Sequence, residues 1–259
     1  MMRIQRKLRL TQSNYYSPET DQQYFSVSQY KDFMKCEAMA MAKLRGEYKP
    51  AMTRAMLTGS FVDSYFEGTL DLFINEHPAV FTQKQELRSE FKKANEIIAR
   101  INQDDTFLRF MSGEKQRIMT FELFGYPWKM KMDSYLPGIC ITDLKVVQKF
   151  RTLPLWRYDL QGAVYQKGVE LVTGEQLPFY LAVATKERTI DLDIFQITQP
   201  VLDIALREIE QNIEHYARVK YGQEEPVYCG KCDYCKSVKE ARIRNYSELL
   251  EGCLLYTSP

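Results

Sequence analysis

The sequence predicts an α/β protein in which a central mixed β-sheet is flanked by helices, and three observations lead there. Residues 118–124, 127–135 and 139–147 are strand-like runs, divided by Gly125-Tyr126-Pro127 and by Pro137-Gly138. Helical periodicity precedes them over 86–101 and returns at 155–173 and from about 199 to 220. Two more strand-like runs, 178–185 and 190–197, lie between those last helices. The order (helices, three-strand meander, helix, two strands, helix) is that of a mixed sheet covered by helices.

Taken in order, residues 1–25 are polar and read as irregular. Ser26 or Ser28 caps a helix through Tyr30, Phe33 and Met34 toward Leu44. A second helix begins near Thr58 and carries Phe61, Tyr65 and Phe66. In the charged stretch that follows, Leu87, Phe91, Ala94, Ile97, Ile98 and Ile101 recur at helical spacing, the pattern of an amphipathic surface helix. The helix over 155–173 stops at Gly174. Trp128 and Trp156 read as core, with base stacking as an alternative for Trp156. No repeat or low-complexity segment interrupts this plan.

Composition sets limits. Hydrophobic residues make up 45% of 259, enough for a packed core, so wholesale disorder is excluded. Lys and Arg total 35 against 34 Asp and Glu, a net charge of +1, which neither advertises nor excludes a basic groove. No apolar run approaches the roughly 18 residues of a membrane span. The opening MMRIQRKLRLTQSNYY is basic without an apolar core or cleavage site, so a secretory signal is not expected. The expected compartment is the cytoplasm, where cysteines stay reduced. The final residues, 252–259, resemble translated adapter sequence and are expected to be non-native, which removes Cys253 from the candidates.

Chemistry concentrates first in the strand pair. Alternate strand residues share a face, so Asp143 and Lys145 lie together while Leu144 and Val146 face the other way. Burying such a pair in an apolar strand is costly unless a partner or metal meets it. The Pro137-Gly138 turn folds the preceding strand back and brings Asp133 close to Asp143. Two carboxylates with the Leu144 carbonyl make a hard-oxygen site for Mg²⁺ or Mn²⁺, with Lys145 placed to hold water or phosphate. The bland alternative is a surface hairpin with a weak solvated pair. Gln161 and Tyr165 share a helical face four residues apart, as do Asp63 and Glu67. Each pair has its own plain reading, an amphipathic polar face or a solvated acidic one. Glu122 reads as an outward-facing charge, and Lys129, Lys131, Lys149 and Arg151 as groove-lining cations or solvated strand ends. His77 and His215 lack a Ser or Cys partner, so hydrolase triads are not expected.

The ordered set Gly59-x₃-Asp63, Asp133, Asp143-Leu144-Lys145 and Gln161-x₃-Tyr165 resembles the PD-(D/E)XK nuclease superfamily. Within it, VSQYKDFMKCEA, GSFVDSYFEGT, ITDLKVV, YDLQGAVYQ and CGKCDYC resemble the RecB-like branch, especially phage-type exonuclease VIII (RecE-like) proteins. That resemblance spans roughly residues 25–250 and implies a restriction-endonuclease-like core. It implies a metal-dependent DNA exonuclease in which Asp133 and Asp143 bind metal, Lys145 is the catalytic lysine, and Gln161 and Tyr165 support catalysis. Asp63 would stand where many relatives carry a metal-binding His, and the Lys145–Gln161 connection is shorter than is common among them. The implied partners are DNA and a single-strand annealing recombination protein. Alternatives are a CRISPR- or repair-associated iron–sulfur nuclease, or a catalytically inert DNA-binding module.

The second concentration is Cys229-Gly230-Lys231-Cys232-Asp233-Tyr234-Cys235, three thiols at C-x₂-C-x₂-C spacing that can converge on one metal centre. Cys36 is the distant candidate for a fourth ligand, and Cys140 reads as a buried small residue. One early and three late cysteines resemble the cluster-bearing RecB-like nucleases, which implies a [4Fe–4S] staple, with Zn²⁺ as the alternative. The expected organisation is therefore an N-terminal segment 1–25, a nuclease core 26–228, a cysteine-rich staple 229–251 and the tail.

Overall fold

A computed structural model describes residues 8–243 and 245–247. The expected non-native tail and Cys253 lie outside those residues.

The N-terminal segment is less irregular than its composition predicts. Ser17 caps α1 (Pro18–Gln23), and Tyr15, Tyr24 and Phe25 are buried. The helix expected from Ser26 to Leu44 is two: α2 (Val27–Lys35), capped by Ser26, and α3 (Glu37–Leu44). Cys36 is the break, in extended conformation between them. The next helix, α4 (Arg54–Glu67), starts before Thr58 because Thr53 caps it, and it closes on Gly68. It is followed by α5 (Leu70–Glu76), α6 (Ser89–Ile101) and α7 (Asp105–Phe110).

Strands β1 (Arg117–Leu123) and β2 (Tyr126–Met132) form an antiparallel hairpin. The chain then bends at Asp133, so the predicted run 127–135 divides and β3 (Ser134–Leu136) joins a different sheet. That sheet has the order β3-β4-β5-β6, with β4 (Cys140–Val147), β5 (Phe179–Thr185) and β6 (Leu192–Ile197). β4 and β5 are parallel, and the other two pairings are antiparallel. The parallel crossover runs through a 3-10 segment (Phe150–Trp156) and α8 (Tyr158–Thr173), in place of one helix from 155. Trp156, predicted to be core, is 59% exposed on that segment, whereas Trp128 is fully buried. α9 (Gln199–Lys220) and the short α10 (Asp233–Ser237) complete the fold.

Helices cover both faces of the central sheet, as predicted. Ile141, Val147, Phe179, Leu181 and Val183 pack with α2, α8, α9 and the hairpin. Leu144, Ala182 and Ala184 pack with α4 and α6. The alternation read from ITDLKVV is therefore physical: opposite faces of β4 enter different cores. α8 lies close against its neighbours because it carries glycine at two contacts. A Cβ on Gly162 would meet Phe179 at 2.7 Å and Leu202 at 2.8 Å, and one on Gly168 would meet Phe121 at 2.4 Å. Among the described residues, no helix is long and apolar enough to cross a membrane.

Candidate functional site

Register does the first positioning. Ser134 pairs with Thr142, so the bend at Asp133 comes level with Asp143 one residue further along. The Leu144 backbone N–H donates to Asp133 Oδ2 at 3.0 Å and fixes that carboxylate against β4. Asp143 is 2% exposed; its Oδ1 accepts from Gln161 Nε2 at 2.6 Å, and its Oδ2 pairs with the Lys145 ammonium. α8 thus delivers Gln161 to the acidic pair, while Tyr165, one turn later, donates from its hydroxyl to the Lys131 carbonyl at 3.0 Å.

Asp63 arrives from α4. Its Oδ1 is sealed from solvent without a hydrogen-bond partner. A small void is lined by Asp63, Glu67, Gln116, Asp133 and Leu144. Two of those residues were not expected here. By its helical spacing Glu67 belongs with Asp63 to a face whose plain reading is a solvated acidic one. Gln116 carried no sequence signal: it occupies a left-handed conformation (φ 51°) just before β1, donates from Nε2 to Asp133 Oδ1 at 3.3 Å and leaves its buried Oε1 unpaired.

The electrostatics describe a place short of positive charge. Burial raises Asp133 to about 7, and the neighbouring Asp143 charge adds to it. Burial likewise raises Asp63 well above the usual carboxylate range, helped by the Asp133 charge. At Lys145 burial pulls the ammonium down, yet Asp143 and Asp133 together hold it above its ordinary value. A divalent cation would relieve the carboxylates, and the orphaned Asp63 oxygen and the all-oxygen donor set fit a hard ion such as Mg²⁺ or Mn²⁺.

Beside Lys145 lies a cavity of about 290 Å³ whose wall includes Tyr15, Tyr16, Ser26, Ser28, Lys31, Lys131 and Tyr158. The Tyr158 ring has Lys145 Nζ at 5.0 Å and Lys31 Nζ at 5.2 Å from its centre. Lys131 Nζ sits 4.7 Å from the Tyr16 ring. Lys129, read with Lys131 as a groove or strand-end cation, is instead an internal anchor: it is 1% exposed and donates to the Tyr15 carbonyl, to Thr20 Oγ1 at 3.0 Å and to Asp21 Oδ1 at 2.7 Å. Arg151 is exposed, and Lys149 is an exposed partner of Glu187 at 3.5 Å. Glu122 is exposed on β1.

The cysteines form a separate centre. Cys36 meets Cys229, Cys232 and Cys235, with all four sulfurs within 4.8 Å of one another. Cys140 is buried apart from them, its sulfur 3.7 Å from Thr142 Oγ1. His215 bridges Glu37 and Glu224 at 2.7 and 2.8 Å, and His77 caps the end of α5 against Phe73.

A family described as "PDDEXK-like domain of unknown function (DUF3799)" matches residues 26–238. Among solved structures, a crystal structure described as a "Putative exonuclease" from Eubacterium rectale is 45% identical, with a TM-score of 0.91 over 94% of this chain and 98% of that one. A structure described as SSO0001 aligns at 15% identity with a TM-score of 0.33, over 83% of this chain and 98% of that one. No curated protein matches.

Proposed function

We propose, from the premise that this chain belongs to the PDDEXK-like DUF3799 family, that it is a nuclease of the PD-(D/E)XK superfamily that degrades linear DNA from its ends. Family and fold support the nuclease itself, a phosphodiester hydrolase acting on DNA. The exonucleolytic reading draws on the 45%-identical relative described by that activity.

The observation that carries the reading is the burial of Asp143, Asp133 and Asp63 close enough for their charges to act on one another and on the Lys145 ammonium. In this reading those carboxylates, with the Leu144 carbonyl, hold Mg²⁺ or Mn²⁺. When bound, such an ion acidifies water and offsets charge on the scissile phosphate. Lys145 adds a fixed positive charge where the phosphate gains negative charge. Gln161 holds the Asp143 carboxylate in one orientation, and Tyr165 ties α8 to the strand that leads to Asp133. Lys31 and Lys131, with the Ser26 and Ser28 hydroxyls, line a cavity suited to the phosphates next to the cleaved bond. A RecE-like role, preparing single strands for an annealing protein in phage-type recombination, completes the proposal.

The deciding experiment compares linear DNA labelled at one end with a covalently closed circle, in Mg²⁺. Release of labelled mononucleotides from the linear form alone is expected. Cleavage of the circle at a similar rate would replace the exonuclease with an endonuclease, and no hydrolysis of either would sink the reading.

A further inference from the structure

The geometry points to Cys36, Cys229, Cys232 and Cys235 as a mononuclear tetrathiolate site for one tetrahedral thiophilic ion, Zn²⁺ in chemical type, in place of an iron–sulfur cubane. Cys36 Sγ is 3.5 Å from Cys235 Sγ, Cys229 Sγ is 3.8 Å from Cys235 Sγ, and all four sulfurs lie within 4.8 Å of one another. Four thiolates about 2.3 Å from one central ion stand ~3.8 Å apart along each tetrahedral edge. In a cubane each thiolate caps a different iron, which spreads the four sulfurs to separations on the order of 6 Å. With 4.8 Å as its largest separation, the set fits one ion and has no room for four irons. The four cysteines are free, and the 3.5 Å between Cys36 and Cys235 is far outside the ~2 Å of a disulfide.

The chain builds this site with its backbone. Gly230 adopts φ 70°, which folds the C-x₂-C turn so that the N–H groups of Lys231 and Cys232 donate to Cys229 Sγ at 3.4 and 3.3 Å. The next turn repeats the device: Cys235 N–H donates to Cys232 Sγ at 3.4 Å. Such bonds spread the charge of thiolates that a divalent ion only half neutralises. The distant ligand is held by separate contacts. Ala38 N–H donates to the Val227 carbonyl at 3.2 Å, and Val227 N–H to Glu37 Oε2 at 2.9 Å, which pins the helix break at Cys36 to the arriving C-terminal segment. The Tyr48 and Tyr234 rings, 5.3 Å apart, pack against the cluster. The two metal centres then sort by chemistry, sulfur for a soft ion here and oxygen for a hard one at Asp143. This assignment does not depend on the nuclease reading.

The test uses the full chain, purified anaerobically from cells supplied with both iron and zinc. Metal and acid-labile sulfide are measured together, and Co²⁺ replaces the bound metal as a spectroscopic probe. About one zinc per chain, no sulfide, and the visible bands of tetrahedral Co²⁺–thiolate are expected. Cys36→Ser and Cys235→Ser should each lower retained zinc by about tenfold or more. Because these variants can also unfold the chain, Cys232→His supplies a folded control: it should keep zinc as a Cys₃His site and shift the cobalt bands. Iron and sulfide in equal amounts would overturn the assignment. So would zinc retained unchanged in both serine variants, or a metal-free folded protein whose four thiols all react freely.

Discussion

Gln161 donates to Asp143 Oδ1 at 2.6 Å, so a helix residue holds a buried strand carboxylate in one orientation. Gln161→Leu removes that restraint and leaves every carboxylate in place. Hydrolysis of end-labelled DNA should slow by about 10–100-fold, mainly in kcat, with little change in KM. An unchanged kcat would mean that Asp143 needs no such support.

Asp143→Asn and Lys145→Met should each reduce hydrolysis by about a thousandfold or more, because in the proposed reading each removes charge next to the reacting phosphate. Binding of the same DNA in Ca²⁺, followed by fluorescence anisotropy, should persist in both variants. Loss of binding together with rate would recast the pair as a binding element.

In the proposed reading the cavity cations meet DNA through their charge, although Lys31 also donates to the Trp156 carbonyl at 2.7 Å. Lys31→Gln and Lys131→Gln should each weaken DNA binding and reduce the slope of log K against log salt by about 0.7–0.9. Salt titrations of affinity check this, and an unchanged slope would remove the residue from the DNA path.

Lys220, at the end of α9, provides a pH test. It is buried, donates to the Tyr24 carbonyl at 2.7 Å and to Gln29 Oε1 at 3.0 Å, and burial pulls its ammonium from 10.5 down to about 7. Between those values the unfolded chain binds a proton that the folded chain does not. The Lys220 contribution is therefore least favourable below about 7 and improves as pH rises toward 10.5, by at most about 1.4 kcal/mol per pH unit. The Tm of the natural protein should rise relative to that of Lys220→Met across this window. Parallel pH profiles would show that Lys220 stays charged in the fold.

Gly168→Ala sets helix propensity against packing. Alanine favours a helix by about 0.8–1 kcal/mol over glycine, but its Cβ would lie 2.4 Å from the Phe121 ring. Overpacking at about 1–3 kcal/mol should win, lowering Tm by a few degrees. A Tm that rises instead would show that the Phe121 ring moves aside freely.

Local periodicity made much of this arrangement readable. Asp143 and Lys145 share a face because strands alternate, and Gln161 and Tyr165 share one because helices turn every 3.6 residues. Cys36 could be nominated by counting thiols, although not its role as a helix break. What escaped was set by contacts distant in sequence. Lys129 alternates as an outward residue, yet Tyr15, Thr20 and Asp21 close over it. Gln116 reaches Asp133 only through a left-handed turn that its residue type does not announce. Trp156 is large and apolar, but it falls on a 3-10 connection where, among the described residues, its side chain stays mostly exposed.

The bend at Asp133 has a geometric consequence. The residue is the seam between the β1–β2 hairpin and the central sheet, and the Leu144 N–H rivets that seam to β4. A strain on the angle between the two sheets would therefore bear first on the bond that holds the Asp133 carboxylate against β4. The hairpin is held from its other side by Phe25, whose ring packs on Trp128 with 5.5 Å between ring centres and whose backbone bonds Pro127 and Lys129, so the N-terminal segment shares in setting that angle.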